Sequence, residues 1–213
     1  MSTHRNIVSN IVFRLLVVAT VMATLVTIPA WAGKGPGSGI TPLSVAEVEG
    51  LNYMREEEKL ARDVYLEMFG QWNARIFSQT SLSEQQHMDT MLKMLDKYGL
   101  PDPAEDEFGE INDIGVFNDP DLQNLYDDLI TKGFLSYIDG LEVGVIIEVT
   151  DLIDLKSAIE ASNHVDLDTA YGHLLDGSNN HLASFCDHLE TLGVTCDTSD
   201  LDPALFDAIR DVY

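Results

Sequence analysis

From residue 44 onward, apolar positions recur at steps of three and four, the spacing that keeps side chains on one face of an α-helix. Ser44 with Glu47 three residues later forms a capping box that opens a first helix, expected over 45–69 and ended by Gly70. Its stripe is Leu51, Met54, Glu58, Ala61, Tyr65 and Met68. Asn73 is placed to cap a second helix that runs to Tyr98 and stops at Gly99 and Pro101, with the stripe Phe77, Thr80, Glu84, His87, Met91, Met94 and Tyr98. A third helix over 135–162 carries Leu141, Val145, Glu148, Leu152, Leu155 and Ile159. A fourth over 167–192, capped by Asn163 or Asp166, carries Leu167, Tyr171, Leu174, Ser178, His181, Phe185 and Leu192.

No stretch sustains the period-two alternation of a strand, and the β-favouring run 143–149 sits inside a longer helical pattern. Residues 99–118 are acidic and punctuated by Gly and Pro, and a short helix over 121–132 follows Pro120. The expected architecture is all-α: a four-helix bundle of two helical hairpins joined by one long crossover that contains the short helix. The bundle spans 44–195. A flexible Gly/Pro/Ser linker precedes it over 33–43, and a tail over 196–213 ends in a helical turn or two from Pro203.

Each stripe is apolar except near its middle, where a carboxylate, an imidazole or both intrude. A buried carboxylate must be paired, protonated or metal-bound. Singly, each intruder has a plain structural explanation. Glu58 belongs to the run 56–58, which reads as a solvated face, and Glu57 fits the stripe about as well. Glu84 can cap a late helix start from Ser81, and His181 can be a hydrogen-bonded core histidine. Glu148 has only Lys156 near it on its own helix. Together, ligand-type groups at similar depth on four helices point to one or two bound ions.

Charge alters the partners rather than the fold. The chain holds 36 acidic and 12 basic residues, a formal charge of −24, and only basic groups precede residue 33. Such a surface repels nucleic acid and anionic lipid and attracts cations. Arg5 and Arg14, the uncharged apolar stretch 15–28, and Ala30-Trp31-Ala32 have the form of a signal peptide over 1–32. The mature protein is therefore expected to be periplasmic or secreted, with no membrane association after cleavage. In that setting Cys186 and Cys196, the only cysteines, are expected to form a disulfide.

Glu58, Ala61 and Tyr65 resemble the first-helix pattern of ferritins and rubrerythrins, and Glu84 with His87 resembles their second. The phrases over 55–65, 83–88 and 177–182 are closer still to the ferritin-like group known as domain of unknown function 2202. The resemblance implies metal ligands at Glu58, Glu84, His87, Glu148 and His181, with Asp151 as an additional carboxylate. It places Tyr65 beside the ligands and Ser178 where the family pattern has a glutamate, which puts the second ion in question. Oxygen and imidazole donors suit iron or manganese, as one ion or two. Two functions follow: redox chemistry with oxygen or peroxide, or metal binding and buffering without turnover, down to a bundle whose degenerate site only supports the core. Metal ions are the expected partners, and a homodimer is one open oligomeric state.

Overall fold

The computed structural model describes residues 41–198. Residues 1–32, expected to be a signal peptide, most of the expected linker and the tail beyond residue 198 lie outside the described residues. Among the described residues five helices account for the fold: α1 (Val45–Trp72), α2 (Arg75–Tyr98), α3 (Pro120–Gly133), α4 (Tyr137–Ala161) and α5 (Val165–Thr191). Among the described residues, extended pairing is limited to an isolated bridge between Glu105 and Ile111 in the crossover. The expected four-helix bundle is present. α1 pairs with α2 and α4 with α5, while α1 also meets α4 and α2 meets α5. The short α3 lies across α1 and α4.

The helix ends follow local chemistry, with three departures from expectation. Ser44 and Glu47 make the capping box: Ser44 Oγ accepts from the Glu47 N–H at 3.3 Å, and Glu47 Oε2 accepts from the Ser44 N–H at 2.8 Å. Gly70 does not end α1. The helix runs through it to Trp72 and is closed by Asn73 in the left-handed region (φ 48°), a conformation Asn tolerates. Asn73 therefore closes α1 rather than opening α2, whose N-cap is Ala74. α4 starts at Tyr137 behind the Ser136 cap, and α5 starts at Val165 behind His164 instead of Asn163 or Asp166. Glu47 explains the last shift. Besides its box, it accepts from the Asn163 N–H at 2.7 Å and pairs with His164 Nδ1 at 2.7 Å, tying the α4–α5 turn to the start of α1.

Two apolar clusters fill the bundle. One gathers Leu51, Met54, Met91, Leu95, Leu155, Leu167 and Leu174, and the other Leu60, Val64, Met68, Phe77, Leu141, Val145 and Phe185. Each fully buried large apolar side chain contributes roughly 1.5–3 kcal/mol. Clusters of this size can offset the several kcal/mol that a buried ion costs. Of the expected stripe, Leu192 is exposed and Leu189 is buried in its place.

The run 56–58 is not a solvated face. Every residue from Met54 to Ala61 is buried, because the crossover wraps the outer side of α1. Arg55 grips the Asp102 carboxylate through Nε and Nη2, the latter at 2.7 Å. Glu56 accepts the N–H groups of Asn118 at 2.6 Å and Asp119 at 3.1 Å. Cys186 and Cys196 form the expected disulfide, which ties the end of α5 to the segment that follows it. No described helix is long and apolar enough to cross a membrane.

Candidate metal centre

Steps of three and four carry one or two polar side chains from each long helix into the bundle axis. α1 supplies Glu58. α2 supplies Glu84 and His87, one turn apart. α4 supplies Glu148 and Asp151, and α5 supplies Ser178 and His181. The sequence-derived residues thus converge. Two groups form, Glu58–Glu84–His87 and Glu84–Glu148–His181, each with one ligand-type atom per residue, all within 4.8 Å of one another. Glu84 belongs to both. Its Oε2 lies 2.6 Å from His87 Nδ1, and its Oε1 lies 2.7 Å from His181 Nδ1. His87 Nδ1 also meets Glu58 Oε2 at 3.2 Å, and His181 Nδ1 lies 3.4 Å from Glu148 Oε2.

These contacts do not satisfy the atoms they bring together. Glu58 Oε1, Glu84 Oε1, Asp151 Oδ1 and His181 Nδ1 are all buried without a hydrogen-bond partner. For His181 the contact with Glu84 is short enough for a hydrogen bond but not aligned for one, so it counts as a charge contact only. Buried polar atoms rarely remain unpaired, and each costs roughly 1–3 kcal/mol. Four in one place is the pattern left when donor atoms are arranged to face a cation. Carboxylate oxygens and imidazole Nδ1 atoms in such an arrangement suit a divalent transition metal.

Charge at the centre follows the same logic. Burial pushes Glu84 up, but the imidazoles of His181 and His87 prevail and hold it down at about 2. Burial works against a charged His87, yet Glu58 and Glu84 drive it up to about 11. His181, likewise opposed by burial, is driven to about 10 by Glu148 and Glu84. Burial raises Glu58 to about 7 despite the pull of His87. Asp151 is pushed well up, first by burial and then by Glu58 and Glu148, while the Ser178 hydrogen bond pulls the other way. The cluster holds its carboxylates only with positive charge in their midst.

Three surrounding contacts fix the set. The Tyr65 hydroxyl donates to Glu148 Oε1 at 2.5 Å, and its ring stacks on Phe185 with centroids 5.3 Å apart. Ser178, fully buried, donates to Asp151 Oδ2, so a hydroxyl on α5 orients a carboxylate from α4. Gly177 makes room for His87: a Cβ there would fall 2.5 Å from His87 Nε2. A cleft of about 390 Å³ between the start of α2 and the end of α5, lined in part by Ile76, Thr80, His181 and Ser184, reaches His181 from outside.

Sequence reasoning missed two things here. Gly177 carries a signal in hindsight, being a glycine inside a helix where alanine is the better helix former. The second is the half-buried Asp154 of α4, which pairs with the buried Glu57 beside the centre. It shares no stripe with Glu148, so periodicity alone does not find it.

The fold and site define a class: an all-helical bundle with a carboxylate–histidine centre buried between two hairpins. Residues 47–211 match the family described as "Uncharacterized protein domain (DUF2202)", and the chain belongs to that family. It is 43% identical over 152 residues to the uncharacterized protein MJ0754 of Methanocaldococcus jannaschii, an alignment covering 71% of this chain and 80% of that protein. The crystal structure of the hypothetical protein MJ0754 from Methanococcus jannaschii DSM 2661 superposes with a TM-score of 0.75 at 39% identity, covering 80% of this chain and 94% of that one.

Proposed function

We propose that the centre is a ferritin-like two-ion site for iron or manganese in an exported protein. Glu84, which belongs to both ligand groups, would be shared, with Glu58 and His87 holding one ion and Glu148 and His181 the other. The observation that carries this reading is the convergence of three buried, unpartnered donor atoms, Glu58 Oε1, Glu84 Oε1 and His181 Nδ1, in two ligand groups that share one carboxylate. Asp151, held by Ser178, supplies a carboxylate near the place where the family pattern has a glutamate on α5. The departure at Ser178 therefore does not leave the second position short of oxygen donors.

Iron or manganese bound there supplies redox chemistry toward oxygen or peroxide. The chain's own part is to orient and enclose. Tyr65 holds Glu148, Ser178 holds Asp151, and the two apolar clusters keep bulk water away. The cleft at His181 is the route by which a small oxidant approaches. The disulfide supports a periplasmic or secreted location, where such bonds persist.

The test is elemental analysis of protein exported with its natural metals, followed by Fe(II) oxidation and peroxide-loss assays. The expected metal content is about two ions per chain, with turnover that His87→Ala abolishes. A content near one or zero retires the two-ion reading. Tight uptake with equal, negligible rates in both proteins identifies a metal-binding or buffering bundle instead.

A further inference from the structure

The cleft between the start of α2 and the end of α5 departs from the charge of the chain as a whole. Acidic residues outnumber basic ones by 36 to 12, yet no carboxylate lines this cleft of about 390 Å³. Arg75, His181 and His188 line it, and the other lining residues, Ile76, Gln79, Thr80 and Ser184, are uncharged. Among the described residues, Arg55 and Arg62 each hold a carboxylate, whereas the exposed guanidinium of Arg75 pairs with none. His188 Nδ1 donates to the Ser184 carbonyl at 2.9 Å, which leaves Nε2 for another partner. His181 turns Nδ1 inward, 2.7 Å from Glu84 Oε1 and 3.4 Å from Glu148 Oε2. Its side chain is 12% exposed, and the described residues give its Nε2 no hydrogen bond.

We propose that this cleft binds a small oxyanion, held by the Arg75 guanidinium and by the Nε2–H groups of His181 and His188. A guanidinium presents a planar fork of donors that fits two oxygens of such an anion. Inside the cleft no carboxylate competes for it. His188, as an imidazolium, donates from both nitrogens, one to Ser184 and one to the anion. A histidine that ligates a metal through one nitrogen almost always donates its other N–H to an outer acceptor, which fixes the ring. No protein group among the described residues takes that part for His181, and an anion in the cleft does. Anion binding and metal binding are then linked through His181, each strengthening the other by the same factor. That linkage rests on the two-ion reading. The anion site itself does not, because Arg75 and His188 belong to neither ligand group.

Inorganic phosphate is the probe, titrated into the chain by calorimetry at low ionic strength, before and after metal is removed with a chelator. Binding should saturate at one phosphate per chain. R75Q should weaken it at least about tenfold, and H188Q should weaken it less. K93Q, which removes an exposed charge of α2 outside the cleft, should leave it unchanged. In imidazole 15N spectra of the chelated, unaltered chain, the His181 and His188 signals should move with phosphate. The signal of His173, on α5 but outside the cleft, should stay. The proposal falls if phosphate does not bind, or if R75Q binds it as well as the unaltered chain does. It falls equally if K93Q weakens binding as much as R75Q, which marks general charge screening. Phosphate bound at Arg75 in a chain that takes up no metal sustains the cleft and overturns the two-ion centre instead. Metal uptake without phosphate binding does the opposite.

Discussion

Glu58 and Lys59 are consecutive residues of α1, both buried, and they belong to opposite kinds of polar cluster. Lys59 Nζ donates to Asp63 Oδ2 at 2.6 Å and to the carbonyls of Asp113 at 2.9 Å and Val116 at 3.1 Å, which uses all of its donors. The Phe117 ring covers it at 4.5 Å. Asp63 is as fully engaged, accepting from Arg62 through Oδ1 and from the Gly115 N–H through Oδ2. Around Glu58 the polar atoms converge with four of them unsatisfied. Burial alone therefore does not mark function in this helix. A closed ledger of donors and acceptors marks the cluster that fastens the crossover, and an open one marks the cluster proposed as the metal centre.

Glu84→Gln should break the contrast most severely. Glu84 belongs to both ligand groups, so metal content should fall from about two ions at the centre to none, read by elemental analysis. Retention of one ion there would show that Glu84 does not bridge. Lys59→Met should do the reverse. It strips Asp63 Oδ2 and the carbonyls of Asp113 and Val116 of a buried donor while Arg62 stays on Asp63 Oδ1, at a cost of about 1–3 kcal/mol in urea unfolding. Metal content should not change, and a variant that also lost its metal would merge the two clusters into one.

Gly177→Ala should open a gap within the centre itself. The added Cβ lies 2.5 Å from His87 Nε2, so the ring must swing away and the Glu58–Glu84–His87 position should empty while the other keeps its ion. In a His87→Ala background the same change should cause no further loss, as double-variant metal analysis can show.

The mildest test is pH. His87 and His181 are driven from 6.5 to about 11 and about 10, so both carry protons at neutral pH, yet a metal takes the neutral nitrogen. Uptake at pH 7 should therefore release on the order of two protons per chain from the imidazoles. Affinity should weaken as pH falls and strengthen as pH rises toward the raised values. Titration in a weakly buffered indicator solution measures the release, and uptake without it would contradict the charge balance described above.

The four long helices and the residues that converge at the centre were legible because both rest on period. Glu58, Glu84, His87, Glu148 and His181 interrupt apolar stripes at matching depth, and a stripe is a one-helix property that the sequence displays directly. Contacts between helices are not displayed in that way. Ser178 read as a defect, since nothing along α5 says that Asp151 of α4 will face it. Glu56 read as part of a solvated run because the crossover that covers it lies more than forty residues further along. Asn73 and Gly70 were misassigned for a local reason: either can stop a helix, and only the backbone shows that Asn73 takes the left-handed turn.

The strapping of the crossover over α1 also bears on how this stretch tolerates change. A surface helix forgives substitution on its outer side, so a mutational scan shows intolerance at every third or fourth position. Between Met54 and Ala61 that rhythm should vanish. Arg55, Glu56 and Lys59 fasten the crossover, Glu57 and Glu58 face other carboxylates, and Met54, Leu60 and Ala61 lie in the core. Every codon in the window is constrained, each for its own reason. The signature over 55–65 is therefore as much a record of a helix without a free side as it is of the carboxylate Glu58 at its centre.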